Sequence, residues 1–100
     1  MALFEWDEVK NLVNQRKHYL NFEVPAQVFN DPFALAQQDR VENGEERWQT
    51  IGRVGQTLVV LVAHTVLLEE HQEVIRIISA RKADRSEWKR YEDQANQTGS

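Results

Sequence analysis

Thr57-Leu58-Val59-Val60-Leu61-Val62-Ala63-His64 is an unbroken run of β-formers. It reads as a central strand buried on both faces, because no polar residue interrupts it at a strand or helix period. Downstream, Glu69 to Glu73 has the composition of a hairpin loop, and Val74-Ile75-Arg76-Ile77-Ile78-Ser79 returns as the last strand. Upstream, Val54-Gly55-Gln56 is a tight connection to a strand over Glu46 to Arg53. Before it, Gln38 to Glu45 reads as a polar loop containing Asn43-Gly44, and Phe33 to Gln37 as another strand.

Helical signals lie at both ends. Ala2 to Trp6 reads as a short strand, and Asp7 then offers a carboxylate to the free amides of a first turn. The helix expected from Glu8 to about His18 puts Val9, Leu12, Val13 and Arg16 on one face, with Lys10, Asn14 and Lys17 opposite. Phe22 to Pro25 leads into a second, very short helix, and Asn30-Asp31-Pro32 ends it. Near the far end, Asp84-Arg85-Ser86-Glu87 is an acidic capping box. Trp88, Tyr91 and Ala95 follow at inward-facing spacing, and residues 96–100 are expected to fray. The sum is an α+β fold, with two N-terminal helices and one C-terminal helix on a small antiparallel sheet. Residues 1–95 are expected to form one domain.

Composition narrows the function. There is no cysteine, so no disulfide framework and no thiolate chemistry. MALFEWDEVK, with its early acids, resembles neither a secretory nor a transit peptide, and no apolar run approaches a membrane span. A cytoplasmic protein is expected, with no membrane partner. The net charge of −4 argues against tight non-specific binding to nucleic acid. It is unevenly spread, however. Residues 1–75 carry six lysines and arginines against twelve acids, whereas residues 76–100 carry six against four. Local field outweighs the total where a cleft binds phosphate.

Three histidines, His18, His64 and His71, show no metal-ligand spacing, and four glycines build no phosphate-cradling loop. No metal and no cofactor are expected. Arg76 is more telling, since a guanidinium between apolar strand neighbours is costly unless it meets an anion. It either pairs with a carboxylate such as Glu46 or clamps a phosphate, to which its planar fork is suited. Strand alternation puts Arg76 on one face with Val74 and Ile78, and Ser79 on the other. Arg81 and Lys82 stand where the strand leaves the sheet, a place where sites often form. Arg85 and Lys89 lie a helical turn apart and fit a solvated face. Lys10 and Lys17 form a basic stripe, and Lys17-His18 suits a helix C-terminus.

Four segments, in order, resemble the BrnT toxin family. They are Phe4-Glu5-Trp6-Asp7 with Lys10, Asn14 and Lys17-His18; Glu45-Glu46-Arg47-Trp48 with Thr50-Ile51-Gly52; Ile75-Arg76-Ile77-Ile78-Ser79-Ala80-Arg81-Lys82-Ala83; and Glu87 with Tyr91-Glu92. Members usually carry glycine after Lys-His, where Tyr19 stands here. If the left-handed helix end is kept, that residue costs about 1 kcal/mol. The resemblance implies a RelE-like fold and a ribonuclease that blocks translation. It also implies a co-encoded, DNA-binding antitoxin of the BrnA type, in a hetero-oligomer that touches DNA only through the antitoxin.

RNA cleavage without a metal requires a base, cations on the phosphate and an acid. For that reaction Arg76 and Arg81 are the expected phosphate stabilisers, converging on one cleft with the Lys10/Lys17 stripe or with Glu46-Arg47. Lys10, Lys17, Arg47, Lys82 and Arg85 are the expected RNA-binding residues. His18, Glu46 and Tyr91 are candidates for proton transfer, without rank among them. The alternative is a non-catalytic module that binds an antitoxin and takes part in operon autoregulation. Val66-Leu67-Leu68 beside Glu69-Glu70 offers a surface for such a partner.

Overall fold

In the computed structural model, which describes residues 2–98, the apolar run lies in β4 (Leu58–Glu69). Its neighbours are β3 (Glu45–Val54) and β5 (Gln72–Lys82), while β2 (Leu35–Glu42) and β1 (Leu3–Trp6) form the edges. The order β1-β5-β4-β3-β2 makes β4 central, and Val59 through Val62 are buried on both faces as expected. Strands β2 to β5 pair antiparallel. β1 instead joins β5 in parallel, Glu5 lying beside Arg76. Alternation within β1 cannot reveal that pairing, because it depends on where the following helix returns the chain.

The polar stretch 38–45 is not a loop. Gln38 to Glu42 belong to β2, and only Asn43 and Gly44, both at positive φ, make the turn. An edge strand exposed along most of its length needs no apolar alternation, which is why composition misreads it. The β4–β5 hairpin is equally tight, turning on Glu70 and His71 at positive φ.

The face of the sheet carrying Val60, Val62, Ile75, Ile77 and Ala80 is closed by Leu20, Phe22 and Val28. Val28 belongs to a 3-10 helix (Pro25–Asn30), the short second helix expected from Pro25. It approaches β3 so closely that a Cβ on Gly52 would lie 2.5 Å from Val28 Cγ1. The other face carries Ile51, Val59 and Leu61, covered by Tyr91 of α2 (Arg85–Thr98). The capping box is formed: Glu87 N–H donates to Asp84 Oδ1 at 2.8 Å, and Asp84 N–H to Glu87 Oε1 at 2.9 Å. α2 includes residues 96–98, so the expected fraying does not begin at Asn96; Gly99 and Ser100 lie outside the described residues.

The first helix, α1 (Glu8–His18), starts on Asp7 as expected but is turned the other way. Val9, Leu12 and Val13 are exposed, and the buried residues are Asn11 and Asn14. The cause is hydrogen bonding. Pairing with β1 stops at Ile77, and Asn14 Oδ1 accepts the free Ala80 N–H of β5 while its amide donates to the Leu20 carbonyl. Asn11 Oδ1 accepts from Phe22 N–H. No apolar side chain could satisfy these buried backbone groups. Among the described residues, no helix is long and apolar enough to cross a membrane.

Candidate functional site

The two strand arginines share a face through an irregularity in β5. Ala63 pairs with Ser79, but His64 pairs with Ile77, so Ile78 is an extra residue that shifts the alternation. Arg76, opposite Thr65, and Arg81, opposite Leu61, therefore project from the same side, and Ser79 joins them. In a regular strand, residues five apart would point to opposite faces.

Around Arg76 the face is a dense ionic cluster. Arg76 Nε donates to Glu5 Oε1 at 3.1 Å and Nη1 to Glu45 Oε2 at 3.4 Å. Glu45 also lies 3.9 Å from Arg47, so one carboxylate sits between two guanidiniums. Arg47 Nε is buried without a partner. Arg40 stands opposite Arg47 on β2, extending the row of arginines towards the edge. Gln37, Gln49, Ala63 and Ser79 cross the next row. Arg90 of α2 reaches this half of the face, donating to Gln37 Oε1 at 3.0 Å, and Val74 and Leu67 pair beside the cluster. Arg76, its side chain 42% exposed, is accessible from solvent. It also lines a cleft with Lys10 of α1, Glu5, Trp6 and Asp7.

Arg81 is held differently. Its Nη atoms donate to both Glu87 oxygens, at 2.8 and 2.9 Å. Those bonds hold the Glu87 carboxyl below its usual range, and they raise Arg81 further above its own. Arg76 and Arg81 are separated by roughly 15 Å of strand. They share a face, not a single phosphate-sized cleft.

The remaining expected residues divide. Lys10 lines the Arg76 cleft, and Lys10, Lys17 and His18 line a neighbouring groove between α1 and Ile78-Ser79. Arg47 lies in the ionic cluster. Lys82 pairs with Val60 and so projects from the opposite face, and Arg85 is exposed at the start of α2. Glu46 lines a hollow on the opposite face, away from the arginines. Tyr91 is buried under α2, where its hydroxyl donates to Asp31 Oδ2 at 2.6 Å. Burial and that bond push Tyr91 up to about 12, unsuited to proton transfer near neutrality. Arg53 stacks over Tyr91 and pairs with Glu92, which completes the anchor of α2.

Sequence reasoning missed Glu5 and Glu45 as the partners of Arg76, and Arg40 as part of the row. Glu45 was in view beside Glu46, but the turn position that decides which acid shares a face with Arg76 was not. No group of three or more acids and histidines that could hold a metal gathers among the described residues.

A family model described as the ribonuclease toxin BrnT of type II toxin–antitoxin systems matches residues 6–87. Among solved structures, the crystal structure of the Brucella abortus ribonuclease toxin BrnT is similar at a TM-score of 0.61. Its identity to this chain is 22%, over 85% of this chain and 100% of that one, a likeness of fold. No curated protein matches. The matched span contains α1, the whole sheet from β2 to β5 and the arginine face between them. The chain belongs to the BrnT family of ribonuclease toxins from type II toxin–antitoxin systems.

Proposed function

We propose that this chain is an endoribonuclease that works without a metal in the cytoplasm, blocks translation and is neutralised by a BrnA-type antitoxin. The observation that carries the reading is Arg76, partly exposed, with Arg47 and Lys10 beside it. Guanidiniums and an ammonium aimed at one region stabilise the charge that builds on a phosphate under attack. Glu45, between Arg76 and Arg47, is the carboxylate best positioned to take a proton from a 2′-hydroxyl. His18 stands in the adjoining groove as the candidate acid. Lys17 and Arg85 serve as outlying phosphate contacts, while Arg81 ties β5 to α2 through Glu87.

Type II toxins act opposite a protein antitoxin; a BrnA-type partner, encoded next to this chain and binding DNA, fits the family. The test is to incubate purified, partner-free protein with RNA in EDTA. Cleavage that persists supports the reading, and cleavage restored only by added metal refutes metal independence. A second reading, a non-catalytic antitoxin-binding module, draws on one observation: Arg76 and Arg81 already hold carboxylates. No cleavage under any condition favours it.

A further inference from the structure

The face opposite the arginines is closed by α1 and the 3-10 helix at one end only. At the other end lies a hollow of about 470 Å³, walled by Phe29, Trp48 and Val66 and floored by His64. His64 is 3% exposed, with Nε2 bonded to Thr50 Oγ1 at 2.7 Å and Nδ1 against the Thr65 carbonyl. Phe29 stands edge-on to its ring at 4.9 Å. Burial lowers the His64 pKa, so the floor is neutral and both ring nitrogens are engaged by the chain itself. Such a floor supports packing rather than proton transfer.

The rim is acidic. Glu46 and Glu73 both line the hollow, and among the described residues no lysine or arginine does. An adjoining cleft shares Phe29 and Glu73 and extends to Leu68, again without a lysine or arginine. Val66 is 40% exposed and Leu68 74%, both on this face of β4. An apolar seat edged by carboxylates repels RNA, and it repels a second copy of itself, since two such rims would meet acid to acid. A basic protein segment complements it.

We propose that this hollow seats an aliphatic or aromatic side chain of the antitoxin, whose flanking lysines or arginines pair with Glu46 and Glu73. The inference rests on the antitoxin reading above and adds where the partner sits and what it presents. Toxin and antitoxin then meet on the face opposite Arg76, so neutralisation acts by holding or reshaping the sheet rather than by plugging the arginine face.

The test is a titration of the ¹⁵N-labelled full chain with the unlabelled protein from the adjacent reading frame. The expected result is that the Trp48 indole and the amides of Val66, Leu68 and Glu73 shift, while those of Arg76 and Ser79 move less. By calorimetry, Leu68→Asp and Glu73→Lys weaken binding by about tenfold or more, whereas Val13→Asp on exposed α1 does not. Both pocket variants remain folded and cleave RNA when free of partner. Binding that shifts the arginine face or α1 instead overturns the inference and leaves the antitoxin reading standing. So does wild-type affinity in both pocket variants, or a short RNA that shifts the pocket signals. No binding by the neighbouring protein fails the antitoxin reading itself, and the inference with it.

Discussion

Arg76 and Arg81 stand five residues apart on one strand and project from the same face of the sheet, because Ile78 is an extra residue between them. Their anchoring differs. Arg76 bridges two strands through Glu5 and Glu45, while Arg81 ties β5 to the first turn of α2 through Glu87. The first arrangement leaves a cation facing solvent beside others; the second is largely structural.

Glu87 therefore carries stability. It caps α2 through Asp84 N–H, holds Arg81 at both oxygens and is 7% exposed. Glu87→Ala is expected to cost about 2 kcal/mol at neutral pH, after discounting for the partly exposed arginine. Its carboxyl lies below the ordinary 4.5 in the folded state. Its contribution is therefore complete above 4.5 and is lost as pH falls through the lowered value. Urea midpoints at pH 7 and pH 3 check this. The gap between wild type and variant narrows at pH 3, and an equal gap at both would refute the charge-based account.

Tyr91→Phe separates anchoring from chemistry. Losing the bond to Asp31 is expected to cost about 1.5 kcal/mol, while RNA cleavage proceeds at the wild-type rate. Burial and the Asp31 bond raise Tyr91 to about 12, so its stabilisation is intact below pH 10 and disappears between 10 and 12. A variant of full stability with impaired cleavage would return Tyr91 to the catalytic group.

Tyr19 ends α1 at φ 60° and ψ 27°, its N–H donating to the Gln15 carbonyl. The side chain is 87% exposed, so replacing it forfeits little packing. Tyr19→Gly is expected to stabilise the protein by about 1 kcal/mol, which raises the melting temperature by roughly 4–8 °C. A lower melting temperature would mean that Tyr19 makes a compensating contact.

How much of this the sequence discloses depends on whether a signal is local. The buried run in β4, the Asp7 cap and the Asp84–Glu87 box follow from neighbours within four residues, whereas the left-handed position at Tyr19 is indicated only by the glycine that the resembling family carries there. The orientation of α1 does not. Asn11 and Asn14 are drawn inward by backbone groups of Phe22, Leu20 and Ala80, the last 66 residues away. For the same reason Val9, Leu12 and Val13, read as a face, are left in solvent. The site shows the same limit. Arg76 is legible as a cation in an apolar strand, but its partners Glu5 and Glu45 come from a parallel edge strand and from a hairpin register. The extra residue at Ile78, which aligns Arg76 with Arg81, leaves no mark in composition.

The most direct test of the arginine face is single-turnover RNA cleavage by Arg76→Ala and wild type, both partner-free and in EDTA, with thermal melts alongside. Arg76 is partly exposed and β5 stays paired on both sides, so the variant should melt within a few degrees of wild type. Loss of the guanidinium is expected to slow cleavage by about 10²–10³-fold. The same variant should relieve growth arrest when expressed in cells. Arg76→Ala that cleaves RNA at the wild-type rate while fully folded would contradict the account, and the chemistry would have to be sought on another face.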